Sequence, residues 1–222
     1  MDVSCIKKAW VHSLPIMVGY VFLGFGFGLL LRQAGYGLAW AVCMSVLIYA
    51  GSMQYVGVSL ISAPASLLTC ALTTLMINAR HIFYSISMIP KYKNAKGFKP
   101  YLMFALTDET YALLSEMDED TSPQFYFFVS LFNQSYWILG SALGSLLATA
   151  LPFDMSGISF SMTALFVSAY TEQFLSGKSK ISALVGLFTT FLFLLLLGKD
   201  LFLIPSMICI TLLLLLLRKR VE

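Results

Sequence analysis

The run from Leu38 to Ile61 is apolar except for a polar hexapeptide at its centre, Tyr49-Ala50-Gly51-Ser52-Met53-Gln54. A run of this length is enough to cross a bilayer, which takes ~20 apolar residues. Hydrocarbon satisfies no hydrogen bonds, so a break at mid-depth must be buried in protein or line a cavity. Interrupted helices of this kind form the substrate sites of many transporters.

Composition widens this reading to the whole chain. Of 222 residues, 59% are hydrophobic and 11% charged, against roughly 25% charged in soluble domains. The expected fold is an all-α integral membrane protein, a polytopic helical bundle of about seven spans within a range of six to eight. Long apolar runs place the spans near 14–34, 38–62, 65–89, 125–151, 157–176, 181–198 and 200–217, with a weaker candidate from Pro100 to Ser115. No length remains for a soluble domain. The stretch from Leu14 to Leu31 follows Lys7 and Lys8 as a signal peptide would. It is too long for one and lacks an Ala-x-Ala site, so it reads as a retained first span.

Two segments resemble each other. Met44 to Ile48 leads into the polar break, and Met162 to Phe166 leads into Val167-Ser168-Ala169-Tyr170-Thr171-Glu172-Gln173. Each follows a helix with a Gly-x-x-x-Gly pair, Gly24/Gly28 and then Gly140/Gly144. Small residues four apart let helix backbones approach closely in lipid. The pattern predicts two repeats with broken helices that meet near the midplane. The first covers about 14–89 and the second about 125–198, with an amphipathic cytoplasmic segment at 90–124 and a last span at 200–217.

Basic residues set orientation. They cluster as Lys91/Lys93/Lys96/Lys99, Lys178/Lys180 and Arg218-Lys219-Arg220. All three clusters face the cytoplasm if residues 97–116 do not fully cross. The N-terminus then lies outside and the repeats are inverted. If residues 97–116 do cross, the N-terminus is inside and there are eight spans. The formal net charge of +3 is small and concentrated at membrane edges, so no nucleic-acid partner is expected.

Several polar groups fall inside apolar runs. On a helix, Arg80, Tyr84 and Ser87 share one face, and Asn78, His81 and Ser85 another. Arg80 is a candidate for holding a substrate carboxylate, because guanidinium pairs bidentately with carboxylates. The plainer reading is a membrane-edge residue or one paired with a structural acid. His81 can relay protons or serve as a hydrogen-bonded structural group. Asp108 and Glu109 are adjacent, so on a helix they point about 100° apart. One can pair with Arg80 while the other faces water; alternatively both are solvated acids on an interfacial helix. Glu172 lies late in an apolar run, where a desolvated carboxyl is suited to carrying a proton. Asn133, Gln134, Ser135 and Tyr136 are interhelical partners or substrate contacts.

No nucleophile–base pair or metal cluster is visible at depth. His12 and His81 are far apart in sequence. Cys5, Cys43, Cys70 and Cys209 are scattered and read as buried free thiols. An enzyme is therefore not expected, nor a cofactor. ATP coupling within the chain is not expected either, for want of a Gly-x-x-x-x-Gly-Lys-Ser/Thr loop.

An ordered set of segments resembles the AzlC family of branched-chain amino-acid exporter subunits. The set is Ser13-Leu14-Pro15-Ile16 with Tyr20 and Phe25 to Leu29, Tyr49-Ala50-Gly51 with Gln54, Arg80-His81 with Tyr84 and Ser87, and Leu106-Thr107-Asp108-Glu109. The resemblance implies a multi-pass protein of the prokaryotic inner membrane. It implies work with a small AzlD-like membrane subunit, and export of leucine, isoleucine, valine and in some members methionine or azaleucine, driven by the proton motive force. The chain departs from the family at Asn78, where an acid is expected before Arg80-His81. That removes one carboxylate partner for Arg80.

The expected function is therefore a secondary transporter subunit. Tyr49, Gly51, Ser52, Gln54, Arg80, Tyr170 and Thr171 are the substrate-binding candidates. Asp108, Glu109, Glu172 and His81 are the proton-coupling candidates. The alternatives are a structural subunit whose partner carries the site, or an exporter of another small metabolite.

Overall fold

The computed structural model describes residues 3–63, 65–118, 121–148, 160, 167, 170–171, 174–175 and 180–217. Its helices, in chain order, are α1 Val3–Gln33, α2 Leu38–Leu47, α3 Gly51–Ser62, α4 Leu67–Asn78, α5 Arg80–Met88, α6 Lys99–Phe104, α7 Asp108–Ser115, α8 Pro123–Leu147, α9 Lys180–Leu201 and α10 Leu203–Leu216. A 3-10 turn at Lys96–Phe98 leads into α6. No strand occurs among the described residues. The chain forms two compact units, Met1–Ala71 with Arg80–Met155, and Leu72–Ala79 with Ser156–Glu222.

The first unit is built on the crossing of α1 and α8. A Cβ at Gly24 would lie 2.8 Å from the Trp137 carbonyl, and one at Gly140 would lie 2.5 Å from that of Val21. At Gly28 and Gly144 it would run into the Ser141 and Phe25 carbonyls. The two glycine pairs therefore face each other in a single contact. Bare backbone at four positions brings the axes close enough for dispersion to hold them, which is what must drive association in lipid. Away from this seam, Val11, Val18 and Phe22 of α1 are exposed, forming an apolar stripe suited to lipid.

α1 and α8 run in the same direction. Cys5 meets Ser122 near their starts, and Gly28 meets Ser145 further along. This corrects the expectation of inverted repeats headed by these two helices, because inversion would set them antiparallel. A Gly-x-x-x-Gly pair reads the same in either direction, so the sequence pattern carries no information on this point. α1 also starts at Val3 rather than near residue 14. With 31 residues it is about 46 Å long, well beyond a hydrocarbon core of ~30 Å. Its first turns, with Lys7 and Lys8, extend past that core.

The polar hexapeptide does break the helix, but the chain then turns back. α2 ends at Leu47, Tyr49 takes a left-handed φ of 43°, and α3 begins at Gly51. Tyr49 lies beside Tyr20, whereas Tyr55 donates to the Leu23 carbonyl and its ring meets Phe27, further along α1. Gln54 reaches back to Ser45, and a side chain at Gly57 would come within 3.7 Å of Met44 Cε. Residues 38–62 are thus a re-entrant hairpin rather than a crossing. Length explains why: helices of 10 and 12 residues span about 15 and 18 Å, each near half the ~30 Å core.

A second hairpin enters from the other end. α6 climbs from Lys99 past Tyr101, whose hydroxyl donates to Gln134 Oε1 (2.8 Å), to Phe104, whose ring lies 6.3 Å from that of Tyr49. The chain turns at Ala105 to Thr107, and α7 descends to Ser115. Helices of six and eight residues span about 9 and 12 Å, each well short of a ~30 Å core.

α5 zips onto α7 through the predicted face. Tyr84 stacks on Tyr111 at 4.3 Å, and Ser87 donates to the Tyr111 hydroxyl at 3.0 Å. One turn on, Lys91 donates to the carbonyls of Leu114, Ser115 and Met117, capping the negative end of α7. Below them Ala9, Met88, Tyr92, Ala95, Leu102, Leu106, Leu114 and Phe125 to Val129 form an apolar core, with Phe127 partly buried.

The second unit holds α9 and α10. Gly198, at φ 72°, bends the chain before α10. Tyr170 stacks on Phe174 and donates to the Ala183 carbonyl at 3.2 Å.

Candidate functional site

The two hairpin tips meet in the first unit, beside the start of α5. Three helix N-termini gather there, at Gly51, Arg80 and Asp108. An N-terminus carries a partial positive charge from unpaired N–H groups. Arg80 adds a full charge. Its Nη2 pairs with Asp108 Oδ2 at 2.8 Å and donates to Ser52 Oγ at 2.9 Å. One guanidinium therefore touches both tips. Asp108 and Glu109 stand in the first turn of α7, where the helix dipole favours acids, and Thr107 caps that turn by accepting from the Thr110 N–H.

The adjacent acids have separate partners. Asp108 faces Arg80, with the Tyr84 hydroxyl beside it. Glu109 Oε2 accepts from the Tyr20 hydroxyl at 2.8 Å. This corrects the picture of an interfacial helix with solvated acids: the hairpin carries both carboxylates inward. Tyr20 also bonds to Thr107, which donates to Thr110, and Asn133 Nδ2 donates to the same Thr110 hydroxyl at 3.0 Å. Tyr49 is buried beside Tyr20 and Thr107. The second oxygen of Asp108 and the Asn133 carbonyl are buried and unpartnered.

A second network holds the α2–α3 tip against α8. The Trp137 indole donates to Gln54 Oε1 at 2.9 Å, while Gln54 Nε2 donates to Ser45 at 3.4 Å. Ser45 donates to Ser141 at 2.9 Å. Breaking the helix frees carbonyls at the end of α2, and Gln134 Nε2 satisfies that of Val46 at 3.2 Å. Gly51 lies under the Trp137 ring, which a Cβ would approach to 3.0 Å.

The sequence candidates thus separate. Arg80, Ser52, Asp108, Glu109 and Tyr49 converge. Gln54 is fully buried and bonded at both ends of its amide, so it fixes the tip instead of facing a ligand. Gly51 makes room for Trp137. His81 packs edge-on to Tyr84, one turn from the pair. Tyr170 and Thr171 belong to the second unit, where Thr171 donates to the Val167 carbonyl at 2.7 Å. Glu172 lies outside the described residues. Sequence reasoning gave no role to Trp137, Thr107 or Thr110. Thr107 carried a usable signal, as a threonine immediately before two acids is a helix-start pattern.

Fold and site together describe a helical membrane protein with re-entrant hairpins around a half-buried ion pair. The family model for the AzlC protein matches residues 15–151. The branched-chain amino acid transport protein AzlC of Bacillus subtilis is 35% identical over 99% of this chain and 87% of its own length. A protein of Haemophilus influenzae, named only as a membrane protein, is 42% identical over 94% of this chain and 87% of its own. The inner membrane protein YgaZ of Escherichia coli is 29% identical over 78% and 76%. The chain belongs to the AzlC family. No solved structure matches it.

Proposed function

We propose that the chain is the transporter subunit of a secondary exporter of branched-chain amino acids in the prokaryotic inner membrane, working with a small AzlD-like partner and driven by the proton motive force. The observation that carries this reading is the Arg80–Asp108 pair at the inner ends of half-helices. An amino acid is a zwitterion, and opposite charges side by side match it. Its carboxylate would take Arg80, Ser52 and the start of α3. Its ammonium would take the free oxygen of Asp108. Inserting between the two charges exchanges one internal ion pair for two external ones, so neither half-buried charge is left alone. The relative's printed substrate class and the apolar surroundings support small apolar side chains. Glu109, bonded to Tyr20 and in no ion pair among the described residues, is the favoured proton-coupling candidate ahead of Asp108; His81 and Glu172 remain candidates.

The test is efflux of preloaded leucine, valine and methionine from cells lacking their own exporters, with this chain expressed with and without the small partner. Efflux that collapses with a protonophore is expected. Arg80→Ala and Asp108→Asn should each lower it by about 10- to 100-fold, the worth of a charged hydrogen bond. Unchanged efflux at normal membrane levels removes that residue from the mechanism. No efflux in any combination overturns the substrate class.

A further inference from the structure

We infer that the N-terminus lies in the cytoplasm, so that the α6–α7 hairpin enters the membrane from the cytoplasmic side and the α2–α3 hairpin from the outside. The sequence alone placed the N-terminus outside in the seven-span arrangement. That count took residues 38–62 as a crossing. They are a hairpin that returns to the side it came from, which removes one crossing between the N-terminus and the lysines at 91–99.

The packing supports the same conclusion independently. Ala9 is buried in one apolar cluster with Met88, Tyr92 and Ala95, and Cys5 and Ile6 pack on the same cluster. Cys5 also meets Ser122, and the His12 ring lies 5.5 Å from that of Phe125. The start of α1, residues 88–98 and the start of α8 therefore share one end of the unit. That end carries Lys7, Lys8, Lys91, Lys93, Lys96 and Lys99, of which all but Lys91 are exposed. At the opposite end, where α1 finishes, the basic residue is Arg32.

Lysine and arginine close to span ends are retained on the cytoplasmic side, and acids weigh little in this balance. Glu116 and Asp118 at the same end therefore do not offset it. Lys91 is committed to capping α7, but the remaining five lysines still outweigh one arginine. The parallel course of α1 and α8 adds a constraint: α8 must also leave from the cytoplasmic side. A single orientation thus satisfies both long helices and every lysine described in this unit.

The test uses the full chain with its four native cysteines replaced by alanine, and Lys7→Cys, Lys96→Cys or Gln33→Cys introduced singly. A membrane-impermeant maleimide is applied to spheroplasts and to inverted vesicles. Lys7→Cys and Lys96→Cys should label in inverted vesicles and stay protected in spheroplasts, with Gln33→Cys the reverse. Labelling of Lys7→Cys from outside overturns the orientation. Labelling of Lys7→Cys and Lys96→Cys from opposite faces overturns the shared end. Should the cysteine-free chain insert poorly, the wild-type chain with a fluorescent protein on its N-terminus decides. Fluorescence is expected. A dark fusion, with alkaline phosphatase active at the same position, overturns the inference. The readout does not depend on transport.

Discussion

The two hairpins reach the same point by different physical means. The α2–α3 hairpin is made of apolar helices, and neutral hydrogen bonds fix its tip. Gln54, Trp137, Ser45 and Gln134 satisfy one another and the broken backbone. The α6–α7 hairpin carries charge at both its tip and its base: Asp108 pairs with Arg80, and Lys91 closes the end of α7. One hairpin is a neutral clamp against a fixed helix. The other is an electrostatic arm whose charged contacts run to Arg80 of α5 and to Lys91 beyond it. Neutral bonds hold a wall in place at little risk. An ion pair is costly to break but exchangeable with a ligand that carries both charges, which makes the arm the side suited to substrate exchange.

Both hairpins lean on the α1–α8 crossing, so the largest effect should come from the one change that disturbs both. A side chain at Gly28 meets the Ser141 backbone, which has no rotamer to yield. Gly28→Leu must therefore separate the two axes. We expect loss of the folded monomer in detergent, read as aggregation on size-exclusion chromatography together with loss of the thermal transition. A sharp, wild-type-like transition would mean that the hairpins carry the fold without the crossing.

An intermediate effect should separate the hairpins. Gln54→Leu leaves the buried Trp137 N–H without its partner and Ser45 with Ser141 alone. An unsatisfied buried group costs about 1–3 kcal/mol. The cost belongs to the neutral clamp alone. Hydrogen exchange should quicken in residues 44–58 and stay unchanged in residues 101–115. Equal quickening in both would show that the tips move as one body, and the distinction between clamp and arm would be lost.

The sequence made the tips more legible than the paths that lead to them. The polar hexapeptide marked the α2–α3 break because polar residues inside an apolar run have few physical explanations. The helical face Arg80, Tyr84, Ser87 was also readable, since i, i+4, i+7 spacing needs no tertiary knowledge. Charge alone offered Asp108 or Glu109 as a partner for Arg80, and only the fold selects Asp108, which supplies the carboxylate that Asn78 does not. The direction of α3 was not readable, because a largely apolar run from Leu38 to Ile61 suits a crossing and a hairpin equally. The role of Gln54 was hidden for a related reason. A glutamine at mid-depth must bond to something, but only the position of Trp137 on α8 says to what. The parallel course of α1 and α8 depends on the return path of the chain between them, which no local pattern encodes.

The smallest expected effect tests the base of the arm. Lys91 places its ammonium among three carbonyls at the end of α7, where a cation is worth about 0.3–1 kcal/mol. Lys91→Met keeps the aliphatic stem and removes the charge. α7 has eight residues, too few to persist as a helix without support. It retains Thr107 and the two acids at its start, and the Tyr84–Tyr111 stack along its side. Fraying should therefore begin at Ser115 and stop before Tyr111. Hydrogen exchange should quicken at Leu114 to Met117, with the overall transition lowered only slightly. If exchange quickens through to Asp108 instead, the arm is held from its base rather than from the Arg80 pair, and the electrostatic tip is a consequence of the hairpin's stability, not its cause.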